Sequence, residues 1–281
     1  MTAEPAGQAV PVTHRCAVLG SPVGHSLSPA LHAAAYAELG LTGWSYGRAE
    51  VRADGLAAFV GSLDETWRGL SLTMPLKVAV MTLPGVAVVS DVARLTGVGN
   101  TLLLDGAARQ VHNTDVGGLV QAVRDRFGGP LATVTVVGSG ATARSAVAAA
   151  ADLGASRVQL LARDQGKAEA LRHLGEAVGV DLVALPWGST PPAADLLVST
   201  VTAGALDARA DALAASAGLV FDVVYDPWPT ALADAASRAG ARVLDGLDLL
   251  VGQAVLQLEL MTGRRPRPAT LRRAGEAALH A

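Results

Sequence analysis

The chain has one cysteine in 281 residues, Cys16, so an internal disulfide is excluded. Cys16-Ala17-Val18-Leu19 reads as a buried strand, which makes the thiol an inert core group suited to a reducing compartment. No apolar run approaches the roughly 18 to 20 residues needed to span a bilayer. Met1 to Val10 lacks the basic and apolar regions of a signal peptide. A net charge of -3 gives no electrostatic reason to expect nucleic acid or an anionic membrane as partner. Aromatic residues make up only 4%; Trp44 reads as core and Trp228, between two prolines, as loop packing, so none is assigned to ligand stacking. What remains, 51% apolar and 17% charged, describes a compact chain with a large buried fraction. A cytoplasmic protein without a metal site is expected.

Lysine and asparagine are also scarce, two of each against 20 arginines. Arginine serves wherever only positive charge is wanted, but its guanidinium cannot give up a proton at a working pH, whereas an ammonium can. Three of the four scarce residues, Lys77, Asn100 and Asn113, fall in one short stretch, and Lys77 therefore reads as a chemical lysine. Lys167, in the charged run Arg163-Asp164-Gln165-Gly166-Lys167, reads as a surface residue.

At this length two domains are the default. Strand-like and helix-like segments alternate almost from end to end, which points to α/β architecture. Strands are expected at Cys16 to Leu19, Trp44 to Val51 and Gly69 to Thr73, with a hairpin of Thr101 to Leu104 and Arg109 to His112 about Asp105-Gly106. The first helix is expected to be capped by Ser28, with Pro29 at its first position and Gly40 after its end. A helix runs from Asp115 to about Phe127, and Gly129-Pro130 precedes a new strand at Thr133.

The second unit opens with strand, glycine turn, helix and strand, from Thr133 through Gly138-Ser139-Gly140-Ala141-Thr142-Ala143 to Arg157–Ala162. That context makes a dinucleotide-binding fingerprint. Gly138 permits the turn, Gly140 admits a pyrophosphate to the backbone, and Ala143 allows close helix packing, with the helix N-terminus holding the phosphates. A turn that only connects strand to helix is the bland alternative. Arg163, at the ribose end of the second strand, suits a 2′-phosphate and so NADP. Asp164 beside it either reads an unphosphorylated ribose or caps the next helix; the cap is favoured.

On the other side, Ser26 and Ser28 flank a helix start suited to a carboxylate. Asp115 opens a helix and has an ordinary N-cap reading. Together Ser26, Ser28, Thr73, Lys77, Asn100 and Asp115 fall at strand ends or the turns after them, where open α/β sheets bind ligands.

Along nearly its whole length the chain resembles the shikimate dehydrogenase family. The resemblance rests on spaced motifs: Gly20-Ser21-Pro22-Val23-Gly24-His25-Ser26-Leu27-Ser28-Pro29, Ser71-Leu72-Thr73-Met74-Pro75-Leu76-Lys77, Val98-Gly99-Asn100-Thr101-Leu102, Asn113-Thr114-Asp115, and Asp222-Val223-Val224-Tyr225-Asp226-Pro227 with Gly246 and Gln253. It departs at Ser71, where an Asn is frequent, and at Ala162-Arg163-Asp164, where only the arginine of a common Asn-Arg-Thr is kept.

The resemblance implies an N-terminal α/β substrate domain with a mixed sheet, residues 1–115, and a Rossmann-like doubly wound NADP domain, 116–246, with the helices of 247–281 packing back on the first. It implies reversible reduction of 3-dehydroshikimate to shikimate, with Lys77 supplying the proton and Asp115 orienting it. Ser26, Ser28, Thr73, Asn100, Tyr225 and Gln253 then meet substrate, and Gly246 lies near the nicotinamide. A second copy of the chain stands as a candidate partner. An NAD-preferring quinate/shikimate enzyme and an aminoshikimate enzyme share almost every motif; a non-catalytic nucleotide sensor is the rival of another class, and it has no use for a proton-carrying lysine.

Overall fold

The computed structural model describes residues 11–105 and 108–280, which form two six-stranded sheets and eleven α-helices. The first sheet comprises β1 (His14–Gly20), β2 (Trp44–Glu50), β3 (Trp67–Leu72), β4 (Val86–Val89), β5 (Thr101–Asp105) and β6 (Ala108–His112), in the order β2-β1-β3-β5-β6-β4. It is mixed: β1 runs parallel to both β2 and β3, β3 and β5 pair antiparallel, β5 and β6 form the expected hairpin, and β4 lies parallel to β6. Residues 106 and 107, at the tip expected as Asp105-Gly106, lie outside the described residues. The chain leaves β1 toward β2 on one side and returns to β3 on the other, so a crevice opens at the carboxyl ends of β1 and β3.

Helices α1 (Ser28–Leu39), α2 (Leu56–Gly61), α3 (Leu76–Ala79) and α4 (Asp91–Thr96) attend this sheet. α1 stops at Gly40, left-handed at φ 67. Its start corrects the sequence reading. Ser28 is the first helical residue, not the cap: the backbone N–H of Ser28 donates to Ser26 Oγ at 3.3 Å, leaving the Ser28 hydroxyl uncommitted to helix capping.

α5 (Asp115–Arg126) leads to the second sheet, β7 (Thr133–Val137), β8 (Arg157–Ala162), β9 (Asp181–Pro186), β10 (Ala194–Ser199), β11 (Ala217–Asp222) and β12 (Arg242–Leu244). All its pairings are parallel, in the order β12-β11-β10-β7-β8-β9, the doubly wound dinucleotide-binding topology. α6 (Ala141–Asp152), α7 (Gln165–Val178), α8 (Ala210–Ala214) and α9 (Ala231–Arg238) cover it. The alanine run of α6 has the highest helix propensity and the least bulk, so Ala143, Ala146 and Ala150 lie against the sheet with almost no exposed surface.

Two last helices, α10 (Gly246–Thr262) and α11 (Pro268–Leu279), return to the first half, where Leu247, Val251, Leu258 and Leu271 share an apolar core with Leu31 and Ala35 of α1. α10 also sends Leu249 into the core of the second sheet, and α5 sends Val116, Leu119 and Val123 there. α5 and α10 cross closely because both carry glycine at the crossing: a Cβ on Gly118 would stand 2.7 Å from the Gln253 nitrogen, and one on Gly252 2.8 Å from the Gly118 carbonyl oxygen.

Candidate active site

Three elements bring the scarce residues together. Lys77 rides on α3 just after β3, Asn100 precedes β5, and Asp115 opens α5. Lys77 Nζ donates to Asp115 Oδ2 at 2.6 Å, and Asn100 Nδ2 donates to Asp115 Oδ1 at 2.8 Å. The Asn100 amide has one possible orientation, because its Oδ1 accepts the Thr114 backbone N–H at 2.8 Å and must therefore be the oxygen. Both carboxylate oxygens of the 3% exposed Asp115 are thus engaged from outside its own helix. The start of α5 is served instead by Asn113, whose Oδ1 accepts from the backbone N–H of Asp115 at 3.0 Å and of Val116 at 3.4 Å. The ordinary cap reading for Asp115 is therefore displaced. Lys77 keeps N–H bonds beyond the one given to Asp115.

These groups line a cleft of ≈ 310 Å³ between the ends of the two sheets. Ser26, Ser28, Thr73, Lys77, Asn100, Asp115, Tyr225 and Gln253 all border it, together with Thr142 and Gly246. Every residue expected on the substrate side is there. The remaining members of the glycine turn, Gly138, Ser139, Gly140, Ala141 and Ala143, and Arg163 do not line this volume. His32 lies beneath the serines with no exposed surface; burial lowers its pKa to about 4, and its Nδ1–H donates to the Ser28 carbonyl at 2.9 Å. It is neutral packing, with its ring stacked on Tyr46 at 3.8 Å. Asp222, raised by burial, accepts from Thr230 Oγ1 at 2.7 Å and from the Val224 backbone N–H at 3.4 Å, which pins the loop carrying Tyr225.

The glycine turn sits at the switch point between β7 and β10. Gly138 has φ 116, and a Cβ there would stand 2.3 Å from Thr200 Oγ1, so no other residue fits without displacing β10's exit. At Gly140 an added Cβ meets nothing within 4 Å, and no side chain caps the start of α6. Open space before free backbone N–H groups is what a dinucleotide phosphate needs, and the residues present fit one. Gly246 is close-packed: its N–H donates to the Val224 carbonyl at 3.0 Å, and a Cβ would lie 2.2 Å from the Val223 oxygen. Past β8, Asp164 accepts the Lys167 backbone N–H at 3.0 Å and caps α7. The guanidinium of Arg163 lies 4.7 Å from the centroid of Trp187, whose ring also faces Arg209 at 5.5 Å.

Sequence reasoning missed Trp187, and also Ser71 and Gln257 as cleft residues. Gln257 follows Gln253 by four residues on α10, one helical turn along the same face, and that spacing was the available signal.

A doubly wound sheet with a phosphate-ready turn, opening onto a cleft with a lysine–aspartate pair, defines the class: a dinucleotide-dependent oxidoreductase fold. Residues 18–102 match the shikimate dehydrogenase substrate binding domain, and residues 246–274 the shikimate 5′-dehydrogenase C-terminal domain. The shikimate dehydrogenase (NADP(+)) of Geobacter metallireducens is 34% identical over 93% of this chain and 96% of its own length. A shikimate 5-dehydrogenase structure from Mycobacterium fortuitum shares 40% identity over 95% of this chain and 99% of that one, with a TM-score of 0.84. The Thermus thermophilus enzyme in complex with NADP(H) and shikimate shares 31% over 94% and 99%, with a TM-score of 0.82. The chain belongs to the shikimate dehydrogenase family.

Proposed function

We propose that the chain catalyses the reversible, NADP-dependent reduction of 3-dehydroshikimate to shikimate. The observation that carries this is the Lys77–Asp115 pair at 2.6 Å, oriented by Asn100, at the floor of a cleft with two serine hydroxyls on its wall. Ser26 and Ser28 bind the substrate carboxylate, with Tyr225 across the loop. Thr73, Asn100 and Gln253 hold ring hydroxyls near Lys77.

The bound nicotinamide supplies hydride to the substrate carbonyl carbon. Lys77 stabilises the charge that grows on the carbonyl oxygen and delivers the proton that completes the alcohol; in the other direction it takes that proton back. Asp115 fixes the direction of the ammonium. Gly138 to Ala143 hold the phosphates at the N-terminus of α6, and Gly246, glycine because the Val223 backbone packs where a side chain would stand, lines the cleft beside Thr142 on the nicotinamide side. Arg163 takes the 2′-phosphate, which Asp164 leaves to it by capping α7. Residues 1–115 with 247–281 act as the substrate domain and 116–246 as the NADP domain; the buried free thiol of Cys16 suits a reducing cytoplasm.

The test is a spectrophotometric assay of purified protein with shikimate or quinate and NADP or NAD. Shikimate with NADP should give the highest kcat/KM. Comparable values with quinate, or better turnover with NAD, would overturn the substrate or the cofactor assignment respectively.

A further inference from the structure

The floor of the cleft ends in a chain of hydrogen bonds whose proton directions are fixed by its two ends. Gln257 Nε2 lies 3.1 Å from the Asn100 backbone carbonyl, an acceptor only, so that atom is the amide nitrogen. Its second proton goes to Thr101 Oγ1 at 3.0 Å, and the Thr101 proton goes on to Asn100 Oδ1 at 3.1 Å. Gln257 Oε1 must then accept, and it takes the proton of Ser71 Oγ at 2.7 Å. Ser71, having given its only proton, accepts from the Tyr46 hydroxyl at 2.7 Å. Tyr46 is held in place by its stack on His32.

Ser71 is 4% and Gln257 1% exposed, yet both border the cleft. Counting donors and acceptors along the chain, neither has a proton left to give. Each keeps an unused oxygen lone pair: the second on Ser71 Oγ, the second on Gln257 Oε1. An asparagine at position 71, frequent in the family, would present an NH₂ donor beside its oxygen.

We propose that Ser71, its one proton held by Gln257, is a point on the wall of the substrate cleft that accepts a hydrogen bond from a substrate hydroxyl and cannot donate one. The wall therefore selects a ligand with a free hydroxyl facing it and rejects one with an ether, a fluorine or a carbonyl oxygen there, which would set lone pair against lone pair. This rests on the reading above that shikimate is the substrate, and the hydroxyl is one of the two ring hydroxyls that do not react. Ser71 is the specificity-determining contact, while Gln257 and Tyr46 are positioning residues that fix where its proton points.

The experiment compares kcat/KM for shikimate with two monofluoro analogues, each with one non-reacting hydroxyl replaced by fluorine, which fills similar space and cannot donate. The unmodified protein should lose roughly tenfold on one analogue, the scale of one hydrogen bond with a buried acceptor left unpaired. Ser71→Ala should erase most of that difference. Tyr46→Phe should keep it, because the Ser71 proton still goes to Gln257. Gln257→Leu frees that proton toward the cleft and should shrink the penalty; if this variant does not fold, the other two decide. An equal fluorine penalty in the unmodified protein and in Ser71→Ala, for both analogues, overturns the proposal while leaving the reaction intact. Absence of any shikimate turnover by the unmodified protein overturns the substrate reading itself, and this wall with it.

Discussion

Lys77 gives one N–H to Asp115 and, at 16% side-chain exposure, keeps the rest for the cleft. Lys77→Ala should lower kcat by about a hundredfold or more with little change in KM, the scale of general acid–base assistance. Lys77→Arg keeps the charge but not the proton equilibrium and should stay severely impaired; near-normal turnover there would reduce Lys77 to a point charge. Asp115→Asn should damage kcat yet leave the fold intact, since the first backbone N–H groups of α5 are held by Asn113 and not by the Asp115 side chain. Arg163→Ala should weaken NADP binding roughly ten- to a hundredfold and NAD binding much less, as read by titration with each nucleotide. Trp187 stacks on the same guanidinium, so Trp187→Leu should narrow the NADP preference in the same direction. His32 gives a prediction about stability. Its folded pKa, about 4, lies below the ordinary 6.5, so between those values the unfolded chain binds a proton that the folded chain refuses. Its stability is undiminished above pH 6.5 and falls as pH drops toward 4, by up to ~3 kcal/mol. Urea melts of the protein and His32→Gln across that window should converge as pH falls; parallel curves would mean His32 is accessible to protons in the fold.

At the scale of elements, the α5–α10 crossing seats Asp115 and Gln253 against Asn100, which donates to both. Gly252→Ala would place a methyl 2.8 Å from the Gly118 carbonyl and should cost about 1 to 3 kcal/mol in stability while raising KM, measured by chemical denaturation and initial rates. Unchanged values would mean that the helices have room to spare. Much at this scale was legible in the chain. β8 lies where expected, Arg157–Ala162, because Val158, Leu160, Leu161 and Ala162 are apolar between the polar Ser156 and Arg163, with Gln159 the one polar residue buried among them. β4 was not foreseen, being four residues long and paired only at an edge. The start of α1 differs from the expected cap at Ser28 because the Leu27 carbonyl takes the N–H groups of Ala30 and Leu31 that a capping serine would take, while Ser26 takes the N–H of Ser28 itself. The lysine, the aspartate and the serines could be found from local motifs. The Tyr46–Ser71–Gln257 chain could not, since Ser71 and Gln257 lie 186 residues apart and only the folded register of α10 against β3 brings them together.

Across the whole molecule, the two sheets meet through α5 and α10 and through Asn113, whose Nδ2 reaches Thr96 Oγ1 at 3.0 Å and Ser145 Oγ at 3.1 Å. With the proposed nucleotide site on one side of the cleft and the substrate site on the other, each ligand should stabilise the fold by mass action. At a hundredfold excess over its Kd, NADP should contribute about 2.7 kcal/mol and raise Tm by roughly 5 °C or more. The same rise should persist in Lys77→Ala, because the phosphate turn is built from other residues; loss of the NADP shift in that variant would place the lysine in nucleotide binding instead.

The scarcity of lysine makes the protein its own spectroscopic instrument. Chain grown on ¹⁵Nζ-lysine carries two labelled side chains, one beside Asp115 in the cleft and one exposed beside Asp164. The second serves as an internal reference, so occupancy of the cleft can be followed by the resonance of a single nitrogen, without a probe attached and without assigning any other signal in the spectrum.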